Sequence, residues 1–277
     1  MFLGMLLGKL LYRVLKKRRR VVAWNIKKCF PNLSQNEIDI LSRKNFTRLG
    51  QALFEICNSY FWSDRKFIAK IKNIEEFKRK IIAIQDSKNL LLVPHTGNVD
   101  FVVRAPSLFL KVNGMQRAAE NKLWNKVMTE GRGKFVEKIF LPNQGKKLLD
   151  TLNDGESVLY APDQDYGFKN SIFVDFFGHK ALTVVFPSIL VKRTNCKVFL
   201  LTLVKKDNCY HADLEELFLE GSNVEKDLRK INFAITRSGS SVLAELFNAR
   251  IPFISVPLPS SADNHQYKNA KKYTLNN

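Results

Sequence analysis

The chain has 277 residues and a mass of 31.9 kDa, enough for one large domain or two small ones with a full core. Its 45% hydrophobic content excludes an intrinsically disordered chain. A net charge of +19 and a pI near 9.8 favour anionic partners: nucleic acid, an anionic membrane surface or an acidic protein.

The charge is placed unevenly. Met1-Phe2-Leu3-Gly4-Met5-Leu6-Leu7-Gly8 and Leu10-Leu11 are apolar, and Lys16, Lys17, Arg18, Arg19, Arg20, Lys27 and Lys28 follow, with no acidic residue before Glu37. Apolar followed by polybasic reads as a helix lying on an anionic membrane surface at its cytoplasmic face. The run is short of the about 20 apolar residues a spanning helix needs. Its charge follows the apolar part, the reverse of a secretory signal. A solvated basic helix packed on the domain is the alternative. No zinc spacing, ribonucleoprotein motif or Gly-rich basic repeat supports nucleic-acid binding.

Residues 1–60 read as helical, interrupted at Pro31-Asn32-Leu33-Ser34. Ser34-Gln35-Asn36-Glu37 is a capping box that starts a new helix, carrying Ile38, Leu41, Phe46, Leu49, Leu53, Phe54 and Cys57 at roughly helical spacing. A charged amphipathic helix is expected over 65–87. Apolar runs at 90–93, 157–161 and 198–204 alternate with helical stretches. The fold class expected is therefore α/β, with a mainly parallel central sheet flanked by helices behind a helical, basic, membrane-facing N-terminal region.

Three segments carry candidate chemistry. Leu90-Leu91-Leu92-Val93-Pro94 leads into His95-Thr96-Gly97-Asn98-Val99-Asp100. A His at a strand end can act as a general base, and Asp100, opening the next helix, can hold the other ring nitrogen and select the tautomer. The plainer alternative is a loop His and a helix-capping Asp. Ser157-Val158-Leu159 leads into Tyr160-Ala161-Pro162-Asp163-Gln164-Asp165-Tyr166-Gly167, with two acids and a turn Gly where α/β sheets bind ligands. A simple Asp-rich turn is the alternative there. Arg117, and Arg132 between Gly131 and Gly133, could hold phosphate or carboxylate, or belong to a solvated basic face. Cys29, Cys57, Cys196 and Cys209 are scattered, so reduced thiols are expected and a metal is not.

In this order the segments resemble the late acyltransferases of lipid A synthesis. The resemblance covers roughly residues 5–235. It runs from Arg19-Arg20-Val21-Val22-Ala23-Trp24-Asn25 through the His-x4-acid block at 95–100. It continues through Asp163-Gln164-Asp165-Tyr166-Gly167 and Phe176-Phe177-Gly178 to Lys192-Arg193-Thr194-Asn195-Cys196 and a helix over Asp227–Ile235. It implies a glycerolipid acyltransferase-like fold. It also implies transfer of a fatty acyl chain from acyl carrier protein to a hydroxyacyl group of a Kdo-bearing lipid A precursor. His95 would be the base and Asp100 its orienting partner, with loop amides around Gly97 as candidate donors to the tetrahedral oxygen. Arg117, Arg132, Asp163 and Asp165 would shape the substrate site. The implied partners are acyl carrier protein, the lipid A precursor and an anionic membrane surface, with no nucleic acid and no cofactor. The implied location is the cytoplasmic face of the bacterial inner membrane.

The family's closing Trp-x-His-x-Arg segment is missing. From Thr236 onward, Arg237-Ser238-Gly239-Ser240-Ser241, Glu245, Ile251–Val256 and His265-Gln266 resemble part of the nucleotide-sugar domain of the lipid II-forming N-acetylglucosaminyltransferase of peptidoglycan synthesis. There, Glu245 would bind ribose and Gln266 would lie near the sugar. The expected organisation is an anchor over 1–30, an acyltransferase domain over 31–235 and a foreign fragment over 236–277, joined by deletion, frameshift or fusion. The strand within 251–256 is expected to lack its native sheet. Two further functional readings are an inactive acyltransferase fold and binding of UDP-N-acetylglucosamine by the tail.

Overall fold

The computed structural model describes residues 2–95, 97–164, 167–206 and 209–217, and, further on, 234–237, 243, 246–247, 253–256, 267–268 and 270–271. The chain divides into two units at 217/218.

The first unit opens with α1 (Phe2–Val14), α2 (Lys16–Cys29) and α3 (Gln35–Phe61). Ser34 and Glu37 form the expected reciprocal capping box at the start of α3. Gly4, Gly8 and Tyr12 lie one helical turn apart and form the buried stripe of α1. They meet α3 at Gly50, where a Cβ would collide with the backbone of Gly4 and Gly8. Glycine is needed here because the two helix backbones touch. Tyr12 closes the contact edge-on against Phe46, with Arg19 and Arg43 over its ring. The opposite side of α1 leaves Phe2, Leu3, Leu6, Leu10 and Val14 exposed, and α2 buries nothing.

The expected helix over 65–87 is two helices, α4 (Asp64–Ile68) and α5 (Ile74–Ile82). The break is a tertiary effect. The segment between them pairs with a distant strand, with the Lys72 amide donating to the Tyr210 carbonyl and Asn73 bonding both ways to Ala212. In α5, Phe77 and Ile81 are fully buried, with Glu75 and Glu76 in its first turn and Arg79 and Lys80 in its last, as the helix dipole favours.

The sheet is built from β1 (Asn89–Leu92), then α6 (Val99–Ser107), β2 (Val112–Met115), α7 (Lys122–Arg132), β3 (Ile139–Phe140), α8 (Gly145–Asn153) and β4 (Ser157–Tyr160). A hairpin of β5 (Ser171–Phe176) and β6 (His179–Val184) stands apart as its own two-stranded sheet. Next come α9 (Phe186–Thr194), β7 (Lys197–Lys206) and β8 (Cys209–Leu217). Asn195, in the left-handed conformation, ends α9. The strand order is β3-β2-β4-β1-β7-β8, parallel throughout except for the antiparallel β7–β8 pair. This α/β architecture, a mostly parallel sheet flanked by helices, matches the expected class. The buried runs of β1 and β4 are the apolar stretches read from sequence. On one face of the sheet Phe67, Phe77, Ile81, Phe101 and Leu201 pack in a single cluster, each wholly buried. Each such side chain contributes roughly 1.5–3 kcal/mol.

In the second unit β9 (Ala234–Arg237) and β10 (Phe253–Val256) pair in parallel over four positions. Leu243 and Leu246, between them in sequence, are helical and buried. One expectation is corrected: Ala234 and Ile235 start a strand rather than end a helix, the rest of that expected helix lying outside the described residues. The strand expected within 251–256 is β10, and its neighbour in a separate two-stranded sheet is β9.

The Gly4–Gly8–Gly50 contact makes a direct prediction. Gly50→Val should destabilise the first unit by about 1–3 kcal/mol through overpacking. Denaturant unfolding of the variant against the parent chain measures it, and an unchanged midpoint would contradict the close approach.

Candidate active site

β1 and β4 are parallel neighbours, and Leu92 lies opposite Tyr160. The Val93 amide donates to the Tyr160 carbonyl at 2.9 Å, extending the pairing one step beyond the strands. Each strand then continues through a proline, Val93-Pro94-His95 and Ala161-Pro162-Asp163. The residues three positions past the paired ends therefore emerge side by side at the carboxyl edge of the sheet, where α/β folds place ligands. The pairing brings His95 and Asp163 together.

Their contact is two-pronged. The Asp163 carboxylate accepts from the His95 backbone amide at 2.7 Å, and its other oxygen lies 2.6 Å from His95 Nδ1. A carboxylate in this position favours the tautomer with hydrogen on Nδ1, leaving Nε2 with its lone pair. Partial burial pushes the Asp163 carboxyl up, but the bonds from the His95 ring and amide outweigh it and hold it below the usual range. Both side chains remain partly open to solvent, His95 at 37% and Asp163 at 41%.

Asp100 is not the ring's partner. It sits in the first turn of α6, facing inward and 2% exposed. Its carboxylate takes Arg132 Nε at 2.5 Å and an Arg132 terminal nitrogen at 3.1 Å, and accepts from the Tyr60 hydroxyl at 2.9 Å. The sequence reading that assigned Asp100 to His95 rested on their spacing of five and on the family's His-x4-acid block. The helix turns Asp100 away, toward α3 and α7. Burial first, and then the Asp100 charge, push the Tyr60 hydroxyl far above its usual range, so Tyr60 stays a donor.

Arg132, at the end of α7, is held by this pair and by Gln116, whose Oε1 accepts from its remaining terminal nitrogen at 3.0 Å. Those bonds engage three of five guanidinium donors, so donor capacity remains for an oxygen in the cleft. Gly131, the neighbouring residue, lies flat on the Tyr60 ring, and a Cβ there would fall 2.5–2.7 Å from ring atoms. The next polar residue of α6 on this side, Arg104, donates to the Ser59 and Trp62 carbonyls and to Asp64, satisfying the C-terminal end of α3.

Beneath His95 lies a narrow cavity of about 80 Å³ lined by Val93, Val99, Val103, Val136, Ile139 and Leu159, with Gly114 and Arg132 also on its wall. An adjoining cleft of about 260 Å³ shares His95, Met115, Arg132, Tyr160 and Ala161 and adds Arg117, Met128 and Gln164. Arg117, exposed, stands in this outer cleft. The structure thus gathers His95, Arg132 and Arg117 around one cleft, holds Asp163 against His95, and turns Asp100 inward onto Arg132 and Tyr60. Asp165, Glu245, His265 and Gln266 lie outside the described residues. Sequence reasoning missed Tyr60 and Gln116. Tyr60 continues the helical series Leu53, Cys57, and was there to be read; Gln116 had no signal. Among the described residues no group of side chains is arranged to hold a metal ion.

Residues 1–217 match the model of the bacterial lipid A biosynthesis acyltransferases, and the chain belongs to that family. It is 31% identical over 183 residues to the lipid A biosynthesis lauroyltransferase of Escherichia coli strain K12, covering 63% of this chain and 57% of that protein. It is 29% identical over 209 residues to the palmitoleoyltransferase of the same strain, covering 74% and 67%. With its myristoyltransferase it shares 27% over 203 residues, 69% and 60%. The match thus spans less than two thirds of the lauroyl- and myristoyltransferases. Residues 204–276 match the C-terminal domain of glycosyltransferase family 28, overlapping the first match over β7 and β8.

Two predictions follow from the geometry. Arg132→Met leaves the buried Asp100 charge without its cation and should cost about 3–5 kcal/mol. Adding Asp100→Asn should recover much of that loss, and a double-mutant cycle by denaturant unfolding reads the coupling; additive losses would contradict it. The folded state lowers the Asp163 pKa below its ordinary 3.8. Its contribution to stability is therefore present above that value and fades as the pH falls through the native one. Asp163→Asn should flatten this acid limb in melting curves.

Proposed function

We propose that the chain transfers a fatty acyl group from an acyl carrier protein thioester to the hydroxyl of a hydroxyacyl chain on a lipid A precursor at an anionic membrane surface. The observation that carries this reading is the His95–Asp163 pair at adjacent strand ends, above an apolar cavity that also presents Arg132. The acyl chain enters the cavity and brings its thioester carbonyl to the rim. His95 Nε2 takes the acceptor hydroxyl's proton as that oxygen attacks the carbonyl carbon. Asp163 holds Nδ1–H and stabilises the imidazolium that forms. Arg132 donates to the developing oxyanion, with Asp100, Tyr60 and Gln116 fixing its fork. Collapse expels the thiolate, which takes the proton from His95, and the imidazole is restored. Arg117 in the outer cleft suits an acceptor phosphate or an acidic donor protein.

The membrane surface is inferred from the exposed apolar side of α1 beside the basic residues of α2. No helix among the described residues is long and apolar enough to cross a membrane. A second reading, an inactive acyltransferase fold, rests on the glycosyltransferase match that overlaps the end of the acyltransferase match and continues beyond 217.

Transfer from labelled acyl carrier protein to a Kdo-bearing lipid A precursor tests both. His95→Ala should lower the rate by about 10²–10⁴-fold, the range for a lost general base, and Asp163→Asn should follow it in kcat. A parent chain that is folded and inactive would favour the second reading. Gly114 lines the cavity, with ordinary room around it. Gly114→Leu should shift acceptance toward shorter acyl chains, read by mass spectrometry of the product; an unchanged profile would remove the cavity from the account.

A further inference from the structure

The β5–β6 hairpin takes no part in the main sheet and carries an apolar surface that is left exposed among the described residues. Strand alternation puts Ile172, Val174 and Phe176 on one face, and they are 57%, 41% and 58% exposed. Phe177 follows at the turn, 52% exposed, in the left-handed conformation beside Gly178. Phe168 and Phe173, edge-on to each other, are exposed at 77% and 58%. This concentration of aromatic side chains is far beyond the scattered apolar residues of an ordinary surface.

The position of the hairpin says what covers it. Its tip is tied to the end of the basic helix. Phe177 packs edge-on against Phe30 at 5.3 Å, and His179 Nε2 donates to the Lys28 carbonyl at 3.1 Å. An aromatic surface thus adjoins a helix with seven lysines and arginines and no acid. Aromatic rings beside a cationic helix suit the boundary between anionic headgroups and acyl chains. We propose that the β5–β6 hairpin is a second membrane-inserting element, which seats Ile172, Phe176 and Phe177 among the acyl chains of an anionic bilayer while α2 holds the headgroups. The proposal rests on the membrane-surface reading of α1 and α2. It extends that reading to the chain segment that runs directly on from the Asp163 loop, so that the same loop that holds His95 is tethered at the lipid surface.

The test uses the full chain and flotation with phosphatidylcholine vesicles, with and without phosphatidylglycerol. The parent chain should float with the anionic vesicles. Ile172→Ser/Phe176→Ser should weaken that binding by about tenfold or more, with the remainder more easily removed by salt and the melting temperature unchanged. Arg18→Gln/Arg20→Gln should weaken binding through charge alone. Phe176→Trp should add fluorescence that brominated lipids quench. If the parent floats, the arginine variant loses binding and the hairpin variant does not, the hairpin proposal is wrong and the basic helix stands. If the parent does not float at all, the membrane reading itself falls. An unquenched Trp at 176 overturns the insertion. Loss of acyl carrier protein binding by the serine variant, with vesicle binding intact, would assign the face to the protein donor instead and likewise overturn it.

Discussion

The parallel pairing of β1 with β4 is the constraint on which the site depends. A single register, Leu92 opposite Tyr160, brings two residues 68 apart in sequence into a two-bond contact. A slip of one residue in that register would separate the ring from the carboxylate and turn each strand's side chains to the other face. The register is held from both sides of the sheet. Leu90, Leu91 and Val158 are buried with little or no exposure, and Asn89, itself buried, donates to the Ser157 hydroxyl at the start of the same pair. The proline after each strand then carries the chain out of the sheet in extended form.

Behind this edge a second set of polar contacts fixes the helices. Asp100 joins α6 to α3 through Tyr60 and to α7 through Arg132, while Arg104 closes the end of α3. Glu55, 1% exposed, does the same on the other side of α3, taking Arg48, Lys205 and the Tyr210 hydroxyl. Buried charges on this scale are tolerable only because each is paired and hydrogen-bonded. The result is a cleft whose floor is apolar and whose wall carries the fixed donors of Arg132, while His95 and Asp163 stay partly open to solvent. Positioning and charge stabilisation then come from residues that do not have to move.

Much of this was legible in the sequence, for reasons that can be named. The leucine and valine runs of β1 and β4 are buried on both faces, so they stand out without any periodicity. The capping box of α3 is a local motif, and local motifs survive folding. The strands β2, Val-Asn-Gly-Met, and β3, two residues long, carry no such signal; their existence is decided by neighbours. β8 does alternate, with Tyr210, Ala212 and Leu214 inward, but its pairing also breaks the expected helix over 65–87, which no local pattern announces. The partner of His95 was misjudged because sequence proximity favoured Asp100. The clue lay in the repeated strand-end pattern, Leu92-Val93-Pro94-His95 and Tyr160-Ala161-Pro162-Asp163. Helical geometry sends Asp100 inward, and only the sheet brings Asp163 near.

The central claim, that Asp163 rather than Asp100 sets the state of the His95 ring, is open to direct measurement. Nitrogen-15 NMR of the labelled histidines distinguishes a protonated ring nitrogen from one with a free lone pair. At a pH where the imidazole is neutral, His95 should carry hydrogen on Nδ1 and none on Nε2. Asp163→Asn should change that signal and Asp100→Asn should leave it in place. A ring protonated on Nε2, or a signal that follows Asp100 and ignores Asp163, would contradict the account.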